Sequence, residues 1–335
     1  MNYVRTLIVA VVGLLPACGG EPVAGGAARR PKIGFLTNCT ASFWVIGKKG
    51  VEAAARDFDV DAVVRMPPNG LVEEQKRYLE ELLTMGVDGL AVSVIDAANE
   101  AGMIDDACRR VPLITHDSDA PESRRLAYIG MDNYLAGREV GKLVKEALPD
   151  GGEIMLFIGI LEQDNARKRR QGVIDEVLGR DVDPKRFDKP GEVQRNDKHV
   201  FLDTRTDGSD KARAKANAED SIARHPELDC MVGLFAYNPP ACLAALKDAG
   251  KLGRIKLVAF DEADDTLQGI LDGHVFGTVV QDPYRYGYES VRMLGAIARG
   301  DRSLLPESGF LDIPARVIRK DNVETFWAEL ERLTQ

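Results

Sequence analysis

The stretch VAFDEADDTL, residues 258–267, sets four carboxylates, Asp261, Glu262, Asp264 and Asp265, behind a short apolar run. Side chains of this type can exchange protons as acid and base, ligate a cation, or accept hydrogen bonds from a bound molecule. Catalysis would require a nucleophile, a poised base or a metal, and the sequence offers little for any of them. The histidines His116, His199, His225 and His274 have no metal-ligand spacing, and neither a Gly-rich phosphate loop nor a nucleophile-elbow motif occurs. DTRTDGSDKARA, residues 203–214, places Asp203, Asp207 and Gly208 as a calcium loop would. Arg205 and Ala214 occupy positions that should supply ligands, which removes that reading. Asp117 and Asp261 could mimic the carboxylate pair of a glycosidase, but nothing else supports hydrolysis. The expectation is a binding protein, with no catalytic residues, no metal and no cofactor.

The elements that position these groups follow from periodicity. From Lys32 onward, apolar runs such as KIGFLTN, VDGLAVSV, EIMLFIG and IKLVAFD alternate with amphipathic stretches. In FWVIGKKGVEAAARDF, residues Val51, Ala54, Ala55 and Phe58 share one helical face. Strands that are apolar throughout and separated by helices make parallel sheets buried on both faces. The alternation runs twice, before and after about Asp132, which predicts two doubly wound α/β domains with ligand-facing loops at the carboxyl ends of their strands. Asp261 closes the strand KLVAF and falls on that rim. Glu262, Asp264 and Asp265 enter the next helix, where the helix dipole favours acids without any chemistry, and are expected to cap it and face solvent.

Bulk properties bound the partners. A chain of 335 residues with 44% hydrophobic and 29% charged content suits two ordinary soluble domains. A formal charge of −9 argues against nucleic acid or an anionic membrane surface, since counterion release needs a basic face. Cys39, Cys108, Cys230 and Cys242 are too irregularly spaced for a disulfide framework or a zinc pattern, and read as small buried hydrophobes, with a bridge between Cys230 and Cys242 left open.

In order and spacing, the strand ends resemble the ribose- and galactose-type periplasmic binding proteins that capture sugars for ABC importers. The likeness runs over about residues 31–320 and is carried jointly by TASFW, THD, GMDN, NARKRRQG, AYNPPACLAAL, VAFDEAD and TVVQDPYRYGYESV. It implies that Phe43 and Trp44 stack on the apolar face of a sugar ring, that Asp117 and Asp261 accept from its hydroxyls, and that Arg167 donates with its planar fork. Asn238 and Gln281 match amide contacts, and Asn133 joins them at the first passage between domains. Lys168, Arg169 and Arg170, beside Arg167, are expected on a solvated helix face. Ser118 and Ala41 stand where ribose-binding members carry an arginine and an asparagine, so ribose itself is not implied.

The same resemblance implies three passages between lobes, near Asp132, Gln281 and Asp312. The N-terminal lobe would then comprise 31–132 and 282–312, and the C-terminal lobe 133–281 and 313–335, joined by a three-strand hinge whose open and closed populations respond to ligand. The first residues carry Arg5, an apolar run and LPAC, which resembles a bacterial lipoprotein signal despite Pro16. Residues 1–17 would be the signal peptide, Cys18 the acylated residue, and 18–30 a Gly-rich tether spanning roughly 20 Å. The expectation is thus an exported monomer anchored through Cys18, with a small sugar as ligand and an ABC permease as partner. A sensor displaying its closed form to a receptor kinase is the alternative.

Overall fold

The computed structural model describes residues 29–334. The expected signal peptide, Cys18 and most of the tether lie outside the described residues. The body that begins at Pro31 is built on two sheets.

The six-stranded first sheet has the order β12-β5-β4-β3-β1-β2, formed by β1 (Lys32–Leu36), β2 (Asp61–Arg65), β3 (Gly89–Val92), β4 (Leu113–His116), β5 (Tyr128–Gly130) and β12 (Phe310–Asp312). All of its pairings are parallel. The seven-stranded second sheet has the order β13-β11-β10-β9-β6-β8-β7. Its members are β6 (Gly152–Ile158), β7 (Gln194–Arg195), β8 (His199–Thr206), β9 (Leu228–Gly233), β10 (Lys256–Phe260), β11 (Gly277–Val280) and β13 (Arg316–Ile318). Only the edge strands β7 and β13 run antiparallel to their neighbours. The segment β2-β1-β3-β4-β5 is repeated as β8-β6-β9-β10-β11, so β4 and β10 hold corresponding places, as do β5 and β11.

Successive residues of each central strand serve opposite faces, and both faces are apolar. Ile33, Phe35 and Ile114 enter one core of the first sheet, whereas Leu36, Leu90 and Leu113 enter the other. The second sheet likewise separates Leu156 and Val258 from Met155 and Leu257. This double burial explains why the strands read as unbroken apolar runs.

Helix pairs in the two halves meet through glycine. In α1 (Ser42–Asp57) and α9 (Pro283–Ala298), a Cβ on Gly50 would lie 1.9 Å from the Tyr284 carbonyl oxygen. In α4 (Asn133–Ala147) and α5 (Asp164–Val177), a Cβ on Gly137 would lie 2.1 Å from the carbonyl oxygen of Arg169. The close backbone approach drives α5 deep into the protein, and it carries the cleft arginine with it. The chain passes from β5 to α4, from β11 to α9, which packs on the first sheet, and from β12 to β13.

Candidate functional site

Asp117 follows β4 and Asp261 follows β10, so the duplicated topology sets a carboxylate at the same corner of each sheet. Both residues occupy the left-handed region, with φ of 59° and 66°. Aspartate tolerates this better than most side chains, and non-Gly residues held there concentrate at functional sites. Each carboxylate is only about 4% exposed. Asp117 Oδ2 accepts from Ser93 Oγ at 2.9 Å and from Asn38 Nδ2 at 3.3 Å. Asp261 Oδ1 accepts from Gln281 Nε2 at 2.9 Å.

Arg169 faces both. Its guanidinium lies 3.7 Å over the Phe260 ring, Nη1 donates to the Leu234 carbonyl at 2.7 Å and Nη2 to Asn133 Oδ1 at 3.0 Å, while Nε has no acceptor among the described residues. Burial pushes Asp117 up to about 6 even though Arg169 and Ser93 pull the other way. Burial also raises Asp261, against the pull of Arg169 and Gln281.

Two aromatic walls complete the site. On the first lobe Phe43 and Trp44 cross edge to face at 4.8 Å, and Trp44 Nε1 donates to Asn38 Oδ1 at 2.8 Å. Behind them His116 stacks on Phe35 at 4.1 Å, and burial pushes it down to about 3, so it is a neutral core residue. On the second lobe Phe235 and Tyr237 cross at 6.2 Å. The Tyr237 hydroxyl donates to Asp207 Oδ1 at 2.6 Å, and Asp207 Oδ2 accepts from Asn238 Nδ2 at 2.8 Å. Gly159 leaves room for this pair, because a Cβ there would lie 2.6 Å from the Phe235 ring and 2.7 Å from the Tyr237 oxygen. The walls enclose a cavity of about 450 Å³, within the range of small-molecule sites.

Phe43, Trp44, Asp117, Asp261 and Gln281 line this cavity. Asn133 and Asn238 lie just behind it, where Asn133 orients Arg169 and Asn238 orients Asp207. Arg167 requires correction. Its side chain is 47% exposed and sits 3.7 Å from Asp164, whereas the buried cation that lines the cavity is Arg169, at 1% exposure. Arg169 and Arg170, expected on a solvated face, are both buried, and Arg170 donates to Thr204 Oγ1 at 2.7 Å. The reason lies in the setting of α5, which is buried on nearly every side: between Asp164 and Val177 only Arg167 and Lys168 are not buried, so the solvated face is confined to those two residues. Glu262 also departs from expectation. It is buried, with Oε2 unpartnered among the described residues, and desolvation beside Asp261 raises it far above the usual carboxylate range, while Asp264 and Asp265 lie exposed in the first turn of α8 (Asp264–Leu271).

Asn38, Gln163, Asn165, Phe235 and Tyr237 also line the cavity. Asn38 brings an amide to the cavity wall, donating to Asp117 and accepting from Trp44. Cys230 and Cys242 are buried free thiols. Among the described residues, no cluster of three or more His, Cys, Asp or Glu side chains is arranged to hold a metal ion.

Comparison with known proteins gives a consistent result. The chain is 22% identical over 307 residues to the ribose import binding protein of Salmonella typhimurium, an alignment that covers 90% of this chain and 94% of that protein. It is 22% identical to the D-ribose/D-allose-binding protein of Pseudomonas aeruginosa, over 94% of this chain and 97% of the other. Among solved structures, an ABC transporter solute-binding protein from Burkholderia graminis in complex with D-arabinose is similar at 26% identity and a TM-score of 0.79, covering 89% of this chain and 98% of that one. A family model described as the periplasmic binding protein domain matches residues 33–302. With the duplicated sheets and the cavity between their strand ends, this match establishes that the chain belongs to the periplasmic binding protein family.

Proposed function

We propose that this protein closes on a neutral monosaccharide or related polyol and delivers it unaltered to an ABC permease. One observation carries the reading. Two buried carboxylates from corresponding corners of two sheets, Asp117 and Asp261, line one cavity together with the Arg169 fork and aromatic walls. Ionised carboxylates accept several hydrogen bonds and donate none, which suits a ring of hydroxyls. Aromatic planes cover the C–H faces of that ring while its edge stays polar. The relatives named for ribose and allose binding, and the arabinose complex of the similar structure, support the sugar class without fixing the sugar.

The lobes we assign are 31–132 with 282–312, and 133–281 with 313–335, hinged at the three passages and acting as a monomer. Acylation of Cys18 would anchor the body by its tether outside the cytoplasm. Mass spectrometry of the membrane-extracted protein checks this: an unmodified, soluble mature chain would remove the anchor while leaving the binding site intact. The ligand is tested by thermal shift of the body from residue 31 against pentoses, hexoses, polyols and nucleosides. A true ligand at a hundred times its Kd adds about 2.7 kcal/mol to stability. Absence of any shift across the panel would remove the assignment.

A further inference from the structure

Two hydroxyls hold the two carboxylate corners in the same way. Tyr128 in β5 donates to the backbone carbonyl of Asp117 at 2.8 Å, and Thr278 in β11 donates to that of Asp261 at 2.8 Å. Because β5 and β11 correspond, and both aspartates are left-handed, these are equivalent pins on equivalent strained residues. Their other contacts differ. The Thr278 hydroxyl serves that carbonyl alone among the described residues. The Tyr128 oxygen also accepts from Asn133 Nδ2 at 3.3 Å and approaches the Met131 carbonyl at 3.4 Å, both on the first passage between sheets. Asn133 Oδ1 in turn accepts from Arg169 Nη2 at 3.0 Å. The Tyr128 ring stacks on Phe310 of β12 at 5.3 Å, beside the third passage. Gly130 keeps this place open, since a Cβ there would lie 2.3 Å from the tyrosine oxygen.

Resting on the cleft reading above, we infer that Tyr128 is a positioning residue that ties the Asp117 corner to the hinge. The hydroxyl that fixes the backbone of a ligand-facing carboxylate also holds the first passage, through Asn133, to the second lobe's arginine. Asp117 and Arg169, which face the same ligand, are therefore the two ends of one chain of hydrogen bonds running through the pivot. Thr278 carries no such link: on that side it is the Asp261 side chain, accepting from Gln281 Nε2 at 2.9 Å, that meets a passage, so the residue that pins the backbone couples to the hinge only at the Asp117 corner.

The test compares Tyr128→Phe with Thr278→Val, which each remove one pin. Amide hydrogen exchange of the ligand-free protein is read at Ala136, whose amide donates to the Asp132 carbonyl, and at Ile313, whose amide donates to the Gly130 carbonyl. Losing a hydrogen bond of ordinary worth should speed opening at both amides about tenfold in Tyr128→Phe and leave them unchanged in Thr278→Val. Asn133→Ala should reproduce the acceleration, and adding it to Tyr128→Phe should give no further increase, because both interrupt one chain. Equal exchange in the two pin variants, or additive effects of Tyr128→Phe and Asn133→Ala, would overturn the inference. Since no ligand enters these measurements, a failed sugar panel with the exchange contrast intact would remove the sugar reading alone, whereas sugar binding without the contrast would remove the relay alone.

Discussion

Replacing Arg169 by Met, beside the control Arg167→Ala, separates two arginines that lie on one helix two residues apart. Arg169 is 1% exposed, makes hydrogen bonds of 2.7 and 3.0 Å, and faces Asp117 and Asp261, each about 4% exposed. Removing one partner from a buried charge cluster costs about 3–5 kcal/mol, and protonation of the abandoned carboxylates caps the loss toward the lower end. Met retains much of the side-chain bulk over Phe260, so packing accounts for little of the difference. Arg167 is 47% exposed and 3.7 Å from Asp164, a surface pair contributing about 0–1 kcal/mol. Urea unfolding of the ligand-free variants should therefore separate them by about 2 kcal/mol or more. Calorimetric titration with the sugar found in the panel should show Arg169→Met weakened by a further 1.5–3 kcal/mol, the worth of a charged hydrogen bond, and Arg167→Ala at parental affinity. Equal losses in the two variants, or a larger loss at Arg167, would refute the assignment of the cleft cation.

The remaining predictions concern the carboxylate corner and the aromatic walls. Burial pushes Asp117 up to about 6, so the ligand-free fold keeps a proton that the unfolded chain has already released, and its contribution to ligand-free stability falls as pH rises through that value. Hydroxyl donors favour the ionised form, so affinity should move oppositely, weakening by up to about tenfold per pH unit below 6 and levelling above 7; a flat profile from pH 5 to 8 would contradict it. Gly159→Ala should push Phe235 and Tyr237 into the cavity and weaken binding by tenfold or so while the melting temperature changes little, because the colliding atoms are side-chain ends that can rotate away; unchanged affinity would mean that the second wall does not touch ligand. Trp44 fluorescence should change on saturation, since its indole donates to Asn38 in the cavity wall, and an unaltered Trp44 signal in a Trp327→Phe background would assign Trp44 to packing alone.

The fold was largely legible because both faces of each sheet are buried, which turns strands such as KLVAF into unbroken apolar runs whose ends can be located to a residue. Asp261 was visible for that reason, as the first polar side chain beyond its run on the ligand-facing rim, whereas Asp117 follows the polar Thr115 and His116 and was visible through the THD motif. The short strands β7, β12 and β13 carry two or three residues each and leave no periodic trace. Arg169 was accessible in principle through its spacing from Ala166 and Val173, but motif position pointed to Arg167, and a helix phase error of two residues turns a side chain by about 200°. Tyr237 was less accessible, although its neighbour Asn238 was named from the motif. The setting of Tyr237 depends on Asp207, thirty positions away in sequence, and on the missing Cβ of Gly159, and neither relation shows in any local pattern.

The most direct test is to crystallise the body with the best ligand of the panel and recover that ligand from dissolved crystals by mass spectrometry. An intact sugar between the Phe43–Trp44 wall and the Phe235–Tyr237 wall, with hydroxyls on Asp117, Arg169 and Asp261, is the expected result. A ligand bound elsewhere, or one recovered as a cleaved or oxidised product, would contradict it.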